Sequence, residues 1–248
     1  MSKKIFHHVP NMITCLNLFC GCLSVMSSLS GTLEAASYFI FAAAIFDFFD
    51  GFTARLFKAY SAIGKELDSL ADVVSFGVAP AFIMYVMLLK TAGNHGFPTE
   101  IYSCGWMIAV TAFLIAVFSA LRLAKFNIDM RQTDSFIGLP TPANALFICS
   151  LAFVSQGNHP LALLAGNMFF LLAVVVVFSF LLISELPLFS LKFKSFDWKK
   201  NRIKYLFISF SALILILFHW AGLALVILCY IILSIIVYFF CNRKVSSP

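Results

Sequence analysis

The chain has 248 residues, 62% of them hydrophobic and only 11% charged, with a mean hydropathy of +0.98. Soluble domains carry about 25% charged residues, so this composition belongs to a lipid bilayer and leaves no room for a separate soluble domain. The formal net charge of +6 does not indicate a nucleic-acid binder, because the basic residues sit at the ends of apolar segments and form no stripe among exposed aromatics.

The first residues, MSKKIFHHVPNM, place two lysines before an apolar run. That run is of span length and shows no convincing cleavage site, so it is expected to be retained as a first helix. Eight apolar segments are expected in all, at about 11–30, 34–57, 67–90, 104–125, 141–156, 160–184, 203–220 and 222–241. Lipid offers no partner to an open amide, so segments of this length cross as helices. The fifth is short enough to be tilted or partly re-entrant. The expected fold is therefore an all-α polytopic bundle of about eight spans with both termini cytoplasmic. That arrangement places every one of the 17 Lys and Arg except Lys90 on the inner side. The loop at about 185–202, ELPLFSLKFKSFDWKKNR, reads either as an amphipathic segment on anionic lipid or as a loop that sets topology. The seven cysteines include no CxxC pair and lie mostly within predicted spans, where a thiol behaves as a small hydrophobe.

The second and third segments carry the chemistry. Of seven aspartates in the chain, Asp47, Asp50, Asp68 and Asp72 fall within one 26-residue window. An Asp at the centre of a spanning helix costs about 2.5–3.5 kcal/mol, so this concentration needs a cause. Asp47, Asp50, Gly51 and Ala54 share one helical face, and Gly64, Asp68 and Asp72 share one face of the next helix. A reversal around Lys58–Lys65 sets the two faces together near the cytoplasmic surface. Four convergent carboxylates repel one another unless a cation lies between them. Mg²⁺ takes one or two carboxylates together with substrate phosphate oxygens, and two metals can clamp a phosphoryl centre. Gly51 and Ala54 leave the face without bulk, and Arg55 is placed to meet a phosphate. Two other readings of the residues stand beside this one. A structural polar seam would pair the acids with Arg55, Lys58 or Lys65, although three cations match four acids poorly. A divalent-cation transport site explains acids in a membrane, but not their shallow depth, the small residues or the arginine.

The run Asp47-x2-Asp50-Gly51-x2-Ala54-Arg55-x8-Gly64-x3-Asp68-x3-Asp72 resembles the signature of the CDP-alcohol phosphotransferases, with every fixed position filled. The resemblance implies metal roles for Asp47, Asp50 and Asp68, and for Asp72 both a metal role and that of general base. It implies a divalent cofactor, Mg²⁺ or Mn²⁺, as two ions. It also implies a nucleotide pocket for CDP-diacylglycerol lined by Gly51, Ala54, Arg55 and Gly64, with Asn11 and Thr14 facing the nucleotide. Asn11 equally reads as a helix cap after Pro10. The implied architecture is a six-helix core over residues 1–185, a basic cytoplasmic loop at 186–202 and two additional helices in 203–248. The same resemblance implies a homodimer. The Lys and Arg distribution and the shallow depth of the aspartates lead to an active site facing the cytoplasm (at the inner membrane, if bacterial), with membrane lipids as partners.

Four further stretches, VPNMIT, DSLADVVSFGVAPA, ALRLAKFN and FIGLPTPAN, resemble the branch of the family that uses L-serine as acceptor. The implied reaction is phosphatidyl transfer to serine with release of CMP; glycerol phosphate or inositol phosphate is the alternative acceptor. A zwitterionic acceptor needs a cation for its carboxylate, and Arg122 is the first candidate. Lys125, Asn127 and Thr141 lie nearby in the expected topology, although Arg122 and Lys125 also read as snorkelling topology residues. Ser75 continues the Asp68/Asp72 face. The five histidines form no HxK pattern, so the chain does not resemble phospholipase-D-type transferases.

Overall fold

The structure is a computed structural model that describes residues 8–59, 61–93, 104–129, 136–157, 161–188 and 198–245. Helix α1 (Val9–Leu29) starts behind His8 with Pro10 in its first turn, where a missing amide hydrogen is tolerated. A turn at Gly31, with φ +78°, leads into α2 (Leu33–Leu56). Helix α3 (Ala62–Thr91) follows a short reversal and is capped by Ser61, whose Oγ accepts from the Gly64 amide at 3.0 Å. Helix α4 (Cys104–Ile128) tightens into a 3-10 turn at Thr111–Phe113. Helices α5 (Thr141–Gln156) and α6 (Met168–Ile183) come next, the second capped by Asn167. The last helical stretch, Trp198–Val245, leaves helical geometry at Asn201 (φ −118°, ψ 19°) and again at His219 (φ 47°, ψ −122°), which gives two long arms, α7 (202–218) and α8 (220–245).

Eight helices were expected and eight are present among the described residues. The stretches Val9–Leu29, Leu33–Leu56, Ala62–Thr91, Cys104–Ile128 and Lys204–Tyr238 are long and apolar enough to cross a membrane; α5 and α6, at 16 residues each, are shorter. The protein is an all-helical integral membrane protein. Two boundaries differ from the expected ones. Helix α3 begins at Ala62 rather than near 67, because its first turn is polar and escapes any count of apolar residues. The sixth segment does not run unbroken from 160; Asn167 starts a new helix after the single turn Ala162–Ala165. The only strand pairing among the described residues is a two-residue antiparallel contact of Phe136–Ile137 with Pro187–Leu188.

The core lies around α3 and α5. From Ala79 to Leu89 nearly every residue of α3 is buried, and α5 is buried from Phe147 to Val154. Helices α1 and α2 pack along one flank, α4 and α6 along the other. Large apolar side chains such as Phe19, Phe48, Met107 and Phe169 point outwards, as lipid contact allows. Inside a bilayer helices associate through close packing at small residues and through interhelical hydrogen bonds. The buried stripe of α1, which includes Thr14, Asn17, Gly21, Ser24 and Ser28, uses both. Ser24 Oγ donates to the Ala36 carbonyl at 2.8 Å and fastens α2. Ser75 Oγ donates to the Asn17 carbonyl at 2.9 Å and fastens α3.

A Cβ added at Gly21 would stand 2.5 Å from Ser75 Oγ and 2.9 Å from its Cα, whereas one added at Gly51 would meet nothing within 4 Å. Gly21→Val is therefore expected to destabilise by about 1–3 kcal/mol, the usual scale of overpacking. Its apparent melting temperature in detergent should fall by several degrees, while Gly51→Leu melts like the parent. Equal melting of all three would show that the α1–α3 contact is not close-packed.

The two C-terminal arms are tied to α5 away from the aspartates. Ser150 Oγ donates to the Trp220 carbonyl at 2.6 Å and accepts from the Ala224 amide at 3.2 Å. Trp220 stacks on Phe153 with ring centroids 4.3 Å apart and also meets Tyr38 and Phe41 in the first half of α2.

Candidate active site

The chain leaves α2 through Lys58, which takes a left-handed conformation (φ 50°), and Ala59 N returns to the Ala54 carbonyl at 2.9 Å. This closure lets α3 run back along α2, so that the two acidic faces meet. Carboxylate oxygens of Asp47, Asp50 and Asp68 all lie within 4.8 Å of one another. Asp72 lies one turn further along α3, on the same face as Asp68. Asp50 is only 5% exposed, and the other three are partly buried.

Helix α1 supplies the supports. Thr14 Oγ1 stands 2.7 Å from Asp50 Oδ2 and 3.0 Å from the Pro10 carbonyl. It has one proton to give, and the charged, nearer acceptor is favoured. Asn17 Nδ2 donates to Asp72 Oδ1 at 3.3 Å. Each acidic helix is thus braced by a polar residue of a third helix, and the arrangement presents hard oxygen ligands from one end of the bundle.

A family model described as CDP-alcohol phosphatidyltransferase matches residues 7–181, which include all four aspartates and their supports. The chain belongs to the CDP-alcohol phosphatidyltransferase family. Among curated relatives of this transferase is a CDP-diacylglycerol–serine O-phosphatidyltransferase of Bacillus subtilis, 36% identical over 161 residues, or 65% of this chain and 82% of that protein. A protein of the same description from Helicobacter pylori is 35% identical over 179 residues, 71% of this chain and 70% of its own. One from Methanocaldococcus jannaschii is 35% identical over 161 residues, covering 64% and 68% respectively.

The donor set of the transferase fits a divalent cation. All four side chains offer carboxylate oxygen, which suits Mg²⁺ or Mn²⁺ and not a soft metal. Asp68 Oδ1 is buried with no hydrogen-bond partner among the described residues. A buried anionic oxygen without a donor is costly unless a cation meets it.

The remaining residues singled out in the sequence fall into three groups. Gly51 and Ala54 stand beside the aspartates, and Gly51 opens onto free space. Arg55 is exposed and its Nε donates to the Gly51 carbonyl at 2.9 Å, so the guanidinium is held along the same edge. Asn11 and Gly64 face each other: a Cβ at Gly64 would lie 2.9 Å from Asn11 Oδ1. Asn11 is inside α1 and does not cap it, since the cap position belongs to His8.

The second group lies at the end of α4. Arg122 is 7% exposed and rests over the Phe126 ring at 5.6 Å. Lys125 is exposed. Asn127 Nδ2 donates to Ser69 Oγ at 2.8 Å, and its carbonyl accepts from Lys65 Nζ at 3.3 Å, which ties α4 to α3. The third group starts α5: Thr141 is fully buried, and its hydroxyl has no partner among the described residues.

Sequence reasoning missed Asn17 and Asn144. Asn17 lies in register with Thr14, Gly21 and Ser24, a polar stripe that an apolar-segment count hides. Asn144, fully buried with neither amide atom partnered among the described residues, lies one turn beyond Thr141 on the same face. Ser75, by contrast, is spent on the Asn17 carbonyl.

Proposed function

We propose that the protein is a CDP-diacylglycerol–serine O-phosphatidyltransferase, which moves the phosphatidyl group of CDP-diacylglycerol to L-serine and releases CMP. The observation that carries this reading is the convergence of the signature residues Asp47, Asp50 and Asp68, with Asp72 one turn beyond Asp68 and held by Asn17, in a chain about 36% identical to relatives of that description. The acyl chains of the donor lie in lipid, and its cytidine diphosphate lies over Gly51 and Ala54, with Asn11, Gly64 and Arg55 around it and Thr14 beneath. Asp47, Asp50, Asp68 and Asp72 hold two Mg²⁺ or Mn²⁺ ions, which when bound supply Lewis-acid stabilisation of charge on the phosphoryl oxygens.

Asp72 receives the proton of the serine hydroxyl. The serine oxygen bonds to the phosphorus that carries diacylglycerol, and the bond from that phosphorus to the oxygen of CMP breaks, CMP leaving with the electron pair. Asn17 orients Asp72 during the transfer. Arg122, with Lys125 and Thr141 around it, receives the acceptor, and Asn127 holds the end of α4 beside it. Ser69, the hydroxyl next to Asp68 in the chain, is bound to the Lys65 carbonyl and to Asn127, so direct displacement needs no covalent intermediate on it.

The site faces the cytoplasm in this proposal. Arg55, Lys58, Lys65, Arg122 and Lys125 gather at the aspartate end, and Lys90 lies at the other, which matches the positive-inside rule and cytoplasmic termini. The transferase core extends to residue 185, followed by the loop 186–202 and the added pair of helices in 203–248; the family match over 7–181 supports this division. One chain carries all four aspartates, so the chemistry does not require the homodimer that the family resemblance implies.

Purified protein given CDP-diacylglycerol and Mg²⁺ or Mn²⁺ should release CMP with L-serine, and not with glycerol phosphate or inositol phosphate. Chelation should stop the release. CMP release that depends on another alcohol would transfer the protein to a sister activity.

A further inference from the structure

Two buried hydrogen-bonding groups beside Asp72 lack partners among the described residues. Asn17 is 0% exposed; its Nδ2 faces Asp72, which leaves Oδ1 with no donor. The amide cannot be reversed, because only its NH₂ end can meet a carboxylate. Arg122 is 7% exposed and has no acceptor for Nε among the described residues. It stands one turn beyond Ser119, whose Cβ would lie 3.0 Å from a Cβ added at Gly77, just after Asp72 on α3. Unpaired buried groups are costly, and a site keeps them where a ligand supplies the missing partner. One of the two is an acceptor bonded through its amide to Asp72, and the other a cationic donor on the helix packed against the same part of α3.

An α-amino acid with a β-hydroxyl has the complementary set: an ammonium donor, a carboxylate acceptor and a hydroxyl that needs a base. We propose that Asn17 is an acceptor-recognising residue, its Oδ1 taking a hydrogen bond from the ammonium of serine while Arg122 takes the carboxylate. The hydroxyl is then delivered to Asp72. Asn17 thereby serves twice, with Nδ2 on the base and Oδ1 on the substrate. An alcohol without an ammonium group leaves Oδ1 buried and unpaired, which gives the site a physical reason to reject it. This inference rests on the serine reading above.

The test compares L-serine with 3-hydroxypropanoate, which lacks the ammonium, and with ethanolamine, which lacks the carboxylate. Binding is read by displacement of radiolabelled serine from the full-length protein in nanodiscs, and turnover by CMP release. In the parent protein each analogue should bind roughly 10- to 100-fold more weakly than serine. Asn17→Leu should weaken serine by a similar factor and leave 3-hydroxypropanoate unchanged, so that discrimination between them collapses; Arg122→Met should do the same for ethanolamine. Serine binding unchanged in Asn17→Leu, with kcat lowered equally for all acceptors, would reduce Asn17 to a positioning residue and overturn the proposal. Where Asn17→Leu does not fold, the parent protein decides: equal binding of serine and 3-hydroxypropanoate overturns the proposal. A parent that never releases CMP with serine fails the serine reading itself, a result distinct from intact turnover with unchanged discrimination.

Discussion

Asp72→Asn is expected to lower serine-dependent CMP release by about 10²- to 10⁴-fold, the range that a positioned general base contributes. The substitution keeps the volume of the side chain and removes its capacity to accept a proton. Asn17 Nδ2, now 3.3 Å from Asp72 Oδ1, can still meet the amide oxygen, so the fold at this point is retained. The melting temperature should therefore stay close to that of the parent, while metal affinity falls as well, because Asp72 is also a metal ligand in the proposal. Asp47 belongs to the face of α2, among the carboxylates of Asp50 and Asp68, and it does not replace the lost base. Turnover within tenfold of the parent would remove Asp72 from the mechanism.

The second large effect concerns metal affinity and can be read without turnover. Asp50→Ala removes one of three carboxylates whose oxygens lie within 4.8 Å of one another. Thr14→Val keeps the shape of the supporting side chain and deletes its 2.7 Å bond to Asp50. Loss of such an outer partner typically costs about 10- to 100-fold in metal affinity, and loss of the ligand itself should cost more. Titration of Mn²⁺ by electron paramagnetic resonance, with and without CDP, should give the order parent, Thr14→Val, Asp50→Ala. Asp50→Ala binding Mn²⁺ as tightly as the parent would contradict the ligand assignment. A Thr14→Val protein with unchanged Mn²⁺ affinity and weakened CDP binding would place the Thr14 hydroxyl on the nucleotide.

The aspartates were legible because two constraints act on them together. A bilayer selects against acids in spanning helices, and fixed i, i+3 and i, i+4 spacing puts those that remain on single faces. The number of helices was legible from apolar length. Asn17 was not, since one amide in an apolar run carries no local signal and its partner lies in another helix. Thr14 was singled out as a nucleotide-facing residue, yet its hydroxyl is directed to Asp50. That pairing depends on the packing of α1 against α2, which no periodicity records. Arg122 was read at a span end as either an acceptor ligand or a snorkelling cation. Its burial over Phe126 leaves little of it to reach water, which the snorkelling reading does not expect.

Directly after Asp72, α3 passes through a π-helical stretch, Val73–Val78, before resuming as an α-helix at Ala79. A π turn takes in one more residue than an α turn, so the acidic start of α3 and its buried remainder are out of phase by about 100°, the rotation of one α-helical residue. Each part answers to different neighbours: the first must aim its carboxylates at α1 and α2, the second must fill the middle of the bundle. Spacing is consequently as much a determinant of this centre as side-chain identity. Gain or loss of a single residue between Asp72 and Pro80 would swing the ligands off their partners or the core off its own, disabling the enzyme without deleting any functional group.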